Sequence, residues 1–223
     1  MTLAVTVPTK GSTGRFTVDK AVDFIEEVGD ANNKIIVKTD QEPAIRTFTK
    51  DLIEARPENR TIAEESPVKS SGSNGKVERA VQTVEAQIRG LLLTFETQIG
   101  RRVDPREPIV SHIPEYASFL LNRLKVGKDG RTAYERCKGK KATILGLEFG
   151  EKVLYKVRTE AKMAKLRSRW EYGIFIGVRQ RSHEIWIATP DKTFAARSVR
   201  RIPEEERWGN DCVTWVRRPM WNR

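Results

Sequence analysis

Residues 70–92, SSGSNGKVERAVQTVEAQIRGLL, decide how this chain is read. Five small or turn-forming residues, Ser71, Gly72, Ser73, Asn74 and Gly75, run into a stretch whose apolar positions recur at helical spacing. Val77, Ala80, Val81, Val84, Ile88, Leu91, Leu92 and Phe95 share one broad face, while Glu78, Gln82, Glu85 and Arg89 fall on another. The pattern predicts a flexible loop at 71–75 and a helix behind it. That helix packs on a sheet through its apolar face and carries the Glu78 carboxylate in its first turns.

Upstream, period-two and period-3.6 stretches alternate. TLAVTVPTKGS (2–12) reads as a strand and FTVDKAVDFIEEVG (16–29) as a helix stopped by Gly29. KIIVKTDQ (34–41) has the β-branched run of a buried parallel strand. PAIRTFTKDLIEA (43–55) begins a helix with proline, and RTIAEES (60–66) is a further short strand. Strand, helix, strand, helix, strand is the order of an α/β layer with parallel pairing. Downstream, IVSHIPEYASFLLNRLKV (109–126) predicts a helix with Ile113, Ala117, Leu120, Leu121 and Leu124 inward, GKDGR (127–131) a turn, and TAYERCKG (132–139) a short helix.

The rhythm changes after the basic linker KGKKATILG (138–146). GEKVLYKV, YGIFIGVRQ, EIWIATP and TFAARSVRRI are short alternating strands separated by turns, which predicts a small all-β barrel or meander. The expected division is an α/β part over 1–137, a basic linker over 138–147, a small β domain over 148–203, and an Arg/Trp-rich tail over 204–223. Trp208, Trp215 and Trp221 in that tail either stack on bases or pack on a neighbouring domain.

The 223 residues suffice for one large domain or two small ones. No apolar run approaches the ~18 residues of a membrane-spanning helix, and no signal-peptide pattern opens the chain. Two distant cysteines, Cys137 and Cys212, and two isolated histidines, His112 and His183, give neither a disulfide framework nor zinc-ligand spacing. A reducing intracellular compartment is the default. The net charge of +11 is unevenly placed: residues 101–223 carry 28 Lys and Arg against 15 Asp and Glu, whereas residues 1–100 carry 13 against 15. A cationic half of that size either binds a polyanion through counterion release or is a solvated basic surface. Nucleic acid is the usual polyanion.

Asp40 stands at the C-terminal end of KIIVKTDQ, the end at which sites assemble in open α/β sheets. It is either a metal ligand together with Glu78 or a cap of the helix that follows, with Glu78 then a surface residue. Two carboxylates are hard donors suited to Mg2+ or Mn2+, and a pair of such ions clamps the attacking and leaving oxygens of a phosphoryl transfer.

TDQEPAI (39–45) and SPVKSSGSNGKVERAV (66–81) resemble the second aspartate and the glutamate of the integrase core of long-terminal-repeat retrotransposons. RWEYGIFIGV (169–178) and AARSVRRIP (195–203) resemble the domain that follows that core in the copia-type branch. The resemblance implies a truncated RNase H-like core, a mixed sheet with flanking helices, followed by a small SH3-like domain. It implies Asp40 and Glu78 as catalytic metal ligands for Mg2+ or Mn2+, and Asn74 and Gly75 as a mobile loop. Lys76 and Arg79, with Lys165, Arg167 and Arg169 of the basic half, are the expected nucleic-acid contacts, and Gln82 and Arg89, on the face of Glu78, either contact DNA or are solvated. DNA is the implied partner, with further copies of the chain. The implied location is nuclear or within a cytoplasmic particle, neither secreted nor in a membrane. The family's first aspartate, its first two strands and its His-His-Cys-Cys zinc domain belong upstream of Met1, so the chain reads as an N-terminally truncated copy. Such a polynucleotidyl transferase segment is expected to be inactive alone. The alternative is a catalytically silent, basic nucleic-acid-binding module.

Overall fold

Gly29 ends the first helix in a left-handed conformation (φ 96°), a backbone state that glycine adopts without a Cβ penalty. Its N–H reaches Glu26 O, and the N–H of Asp30 reaches Ile25 O at 3.0 Å, which closes the orphan carbonyls of α1 (Phe16–Val28). The chain then forms β1 (Ile35–Thr39), α2 (Pro43–Ala55) and β2 (Thr61–Glu65). Pro43 sits in the first turn of α2, where its missing N–H costs nothing. β1 and β2 pair in parallel, Ile35 opposite Thr61 through Thr39 opposite Glu65, as an α/β connection requires.

This computed structural model describes residues 1–10, 15–56, 60–65, 71–157 and 168–222. The chain divides into two compact units: residues 1–86 with 120–142, and residues 87–119 with 143–223. Both are mixtures of helix and strand or turn, and the second carries a five-stranded antiparallel sheet. Among the described residues no helix is long and apolar enough to cross a membrane.

In the first unit α2 packs against α1 and against both strands. Arg56, buried at the end of α2, donates to Thr61 Oγ1 and to the carbonyls of Asp30, Ala31 and Asn33 at 2.8–3.2 Å. One guanidinium thereby satisfies the turn between α1 and β1. The opposite face of the strands stays open: Ile36 and Ile62, register partners, are 64% and 52% exposed, and Lys38 pairs with Glu64 at 2.8 Å beside them.

Two expectations fail here. Residues 2–7 form no strand, because a strand exists only where a neighbour completes its ladder. The peptide of Thr2 instead pairs with the carboxamide of buried Asn122, accepting at its carbonyl (2.7 Å) and donating from its N–H (2.8 Å). The second concerns α3, which runs from Ser71 to Ile99 and so includes the stretch expected as a loop. Serine, asparagine and glycine are weak helix formers, but adding turns to an existing helix costs far less than nucleating one. The apolar face of α3 is also only partly covered in the first unit: Val84 is buried, while Val77 and Val81 are 63% and 50% exposed.

A 3-10 turn (Pro108–His112) leads into α4 (Ile113–Leu124), where Ile113 and Ala117 are buried as expected and Leu124 is exposed. α5 (Ala133–Lys138) opens with a capping box: Thr132 Oγ1 accepts from Glu135 N, and Glu135 accepts from Thr132 N.

The second unit orders its strands β6-β5-β4-β3-β7, with β3 (Lys152–Lys156), β4 (Trp170–Val178), β5 (Ile185–Ala188), β6 (Thr193–Ala196) and β7 (Val199–Arg201). Only Arg197 and Ser198 join β6 to β7, yet these strands occupy opposite ends of the order. Laid flat, five strands would separate those edges by about 19 Å, whereas three Cα steps reach at most about 11 Å. The sheet must therefore curl on itself into a barrel-like form. Val153, Phe175 and Ile187 are buried on one face of the sheet and Ile174 on the other, and Tyr116 stacks on Phe149 (5.8 Å) and meets Phe175 edge-on (5.3 Å). The tail, which shows no period in sequence, folds as α6 (Asp211–Thr214) with Cys212, Val213, Val216 and Met220 buried. The rings of Trp208 and Phe95 lie 6.3 Å apart.

Candidate nucleic-acid interface

Thr39 ends β1, and Asp40 follows it into the turn before α2. The exposed carboxylate of Asp40 accepts from Glu42 N–H at 3.3 Å, so its one described contact is with the N-terminal turn of α2. Glu42 in turn holds Lys10 at 2.6 Å, and that hydrogen bond, with the field of Asp40 adding to it, raises the Lys10 ammonium above its ordinary range. Glu78 lies exposed on α3 and has no hydrogen bond or ion pair among the described residues. The described residues hold no group of three or more His, Cys, Asp or Glu placed to grip a metal ion. Asp40 and Glu78 supply donors of the right hardness, but two carboxylates do not fit a two-ion clamp.

Lys76 and Arg79 are brought together. Both line a cavity of about 320 Å³ whose wall also holds Lys125 and Arg136, with Ala80, Thr83 and Asn122 between them and no acidic residue. α3 supplies one side of the wall, and the C-terminal end of α4 with the start of α5 the other. Arg136 is held in place by a two-pronged pair with Asp129, at 2.5 and 2.8 Å, which drives the Asp129 carboxyl well below its usual range. Gly127 makes room for this arrangement, since a Cβ there would overlap the Arg136 guanidinium.

The remaining sequence candidates scatter. Gln82 is exposed on α3 but is not on the cavity wall, and Arg89 is exposed on the part of α3 that belongs to the second unit. Asn74 and Gly75 lie within the helical backbone of α3, not in a loop ahead of it, and a side chain at Gly75 would meet nothing within 4 Å. Arg169 is exposed beside β4, where its carbonyl accepts from Val157 N–H at 2.9 Å. Lys165 and Arg167 lie outside the described residues. Lys152 is committed to Asp211 at 2.5 Å. Lys125 and Arg136 escaped residue-by-residue reading, though residues 123–141 hold eight Lys and Arg against two acids. That run was their only signal.

The first unit is thus an α/β unit with a basic cavity, and the second a curled antiparallel sheet. No protein-family model matches the chain, and no curated protein matches it either. Among solved structures it is similar to a chain of the simian T-cell lymphotropic virus intasome in complex with PP2A regulatory subunit B56 gamma, with 13% identity and a TM-score of 0.43 over 88% of this chain. The match spans 66% of that chain's length. A likeness of that degree assigns neither fold nor function.

Proposed function

We propose that the chain is an integrase-type DNA-integration segment of a copia-type retrotransposon, an RNase H-like core followed by an SH3-like domain, whose own part is to hold DNA. The observation that carries this reading is the convergence of Lys76 and Arg79, neighbours of Glu78 on α3, with Lys125 on one cavity, whose fourth wall cation, Arg136, is paired with Asp129. Cations gathered on a concave wall neutralise phosphates and release their counterions. The order of motifs supports the same reading, from TDQEPAI through the α3 entry to RWEYGIFIGV and AARSVRRIP. In it, Asp40 and Glu78 are the second aspartate and the glutamate of an acidic catalytic set. As a pair they would hold Mg2+ or Mn2+ loosely. Further copies of the chain are the expected protein partners.

The second reading, a catalytically silent basic module, is favoured by one observation: the described carboxylates form no group of three, and that of Asp40 contacts the α2 turn. A strand-transfer assay with Mg2+ and with Mn2+ separates the two. Joining activity lost in Asp40→Asn supports a working centre; no joining at any metal concentration leaves the binding module.

A further inference from the structure

The parallel pair β1–β2 of the first unit has an open side, and its ladder shows which backbone groups face it. Ile35 N–H donates to the Arg60 carbonyl at 2.8 Å, with Ile35 in register with Thr61. In a parallel ladder alternate residues of a strand serve the neighbour, so Ile35, Val37 and Thr39 turn their N–H and C=O groups towards β2. Those of Ile36 and Lys38 point the other way, where no strand pairs with them among the described residues. Both residues are exposed. The far edge of β2 is less open, because Thr61 is buried and its hydroxyl accepts from Arg56. An unpaired edge such as that of β1 is a template for one more strand.

The residues along that edge complement a second copy of themselves. Two β1 strands set antiparallel about a two-fold axis at Val37 place Ile36 opposite the partner's Lys38. Both residues carry outward N–H and C=O groups, so each such pair exchanges both hydrogen bonds. The same register places Lys34 opposite the partner's Asp40, once at each end of the strand. Both are exposed; Lys34 has no hydrogen bond or ion pair among the described residues, and the one described hydrogen bond of Asp40 comes from Glu42 N–H. Neighbouring registers lose the match. Centring on Ile36 sets Lys34 against Lys38, centring on Lys38 sets the two Lys38 side chains together, and a slip by one residue sets outward groups against inward ones. On the open face the two Ile36 side chains become diagonal neighbours, which joins the exposed Ile36 and Ile62 of each copy across the axis. We propose that two copies of the chain join their β1 edges antiparallel, each contributing its two strands to one continuous sheet. This goes beyond the DNA reading, which rests on Lys76 and Arg79 of α3.

The test follows the full chain by sedimentation velocity, without nucleic acid, over a micromolar to near-millimolar concentration series. The wild-type chain should pass from monomer to dimer. Lys34→Asp and Asp40→Lys should each weaken association by about twofold to thirtyfold, since each sets like charges opposite one another at both ends. An equimolar mixture of those two variants should associate as the wild type does, because every end of the mixed pair again joins unlike charges. Ile36→Pro removes an N–H that faces away from β2 and should abolish the dimer; where it costs stability, the mixing experiment still decides. Lys76→Glu with Arg79→Glu should dimerise normally, so a failure of the DNA reading leaves the interface standing. A chain that stays monomeric throughout the series, a dimer indifferent to both charge variants, or a mixture that associates no better than its components would overturn the proposal.

Discussion

The Arg123 guanidinium lies 3.3 Å from the Glu27 carboxylate with both side chains at most 5% exposed, an ion pair across 96 residues inside the first unit. The same guanidinium sits 4.7 Å from the centroid of the Tyr134 ring. Burial lowers the pKa of Arg123, and Glu27 opposes that shift. Nearby, the ammonium of Lys138 donates to the carbonyl of Glu27, and Cys137 Sγ contacts Val28 O at 3.3 Å. α5 thus places a cation at the C-terminal end of α1, where the helix dipole favours it.

Glu27→Gln is expected to destabilise the protein by about 3–5 kcal/mol, because it strands a buried guanidinium. Replacing both partners with apolar residues, Glu27→Leu with Arg123→Met, should recover most of that loss. Urea denaturation of the three forms measures both effects. A cost for Glu27→Gln below about 1 kcal/mol, the range of an exposed pair, would contradict the buried geometry.

Gly150→Ala should be costly for two independent reasons. The backbone there is at φ 85°, and a Cβ would run into the Phe95 ring. The left-handed conformation alone costs a non-glycine residue about 1–3 kcal/mol. The combined variant Gly150→Ala with Phe95→Leu should relieve the steric part only, so thermal denaturation of single and double variants separates the two causes.

The stability of the second unit should fall in alkali. Burial pushes the Cys212 thiol up from 9.0 to about 11. As pH rises the unfolded chain loses this proton first, so the thiol's contribution is intact below about pH 9 and disappears between about pH 9 and 11. Each unit of that shift corresponds to roughly 1.4 kcal/mol. Burial also raises the Tyr116 phenol, with Glu151 and Glu148 adding to it, and acts in the same direction. Cys212→Ala should flatten the decline between pH 9 and 11, and an unchanged slope would contradict this assignment.

Much of the first unit was legible because its punctuation is local. Proline at the start of α2, Gly29 after α1 and the Thr132–Glu135 box of α5 each act within a few residues. In the second unit period-two alternation marked β3, β4 and β5, but TFAARSVRRI, expected as one strand, is split by Arg197 and Ser198 into β6 and β7 at opposite ends of the sheet order, which alternation alone does not reveal. What failed depends on distance. Whether residues 2–7 form a strand turns on a partner ladder, and the partner of Thr2 is a side chain 120 positions away. Periodicity marked the apolar face of α3 but says nothing of what covers Val77 and Val81. The basic cavity joins Lys76 and Arg79 to Lys125 and Arg136, and only the fold brings those two segments to one wall.

The central claim, that this wall holds DNA, is tested most directly by the affinity of the chain for fluorescent duplex DNA across a salt series. Wild-type affinity should fall steeply with salt, and Lys76→Gln and Arg79→Gln should each lower the log–log slope by about 0.9, the share of one phosphate contact. The double charge reversal Lys76→Glu with Arg79→Glu should weaken binding far more while leaving the thermal transition in place, since both side chains are exposed. Unchanged affinity and slope in all three variants would contradict the claim.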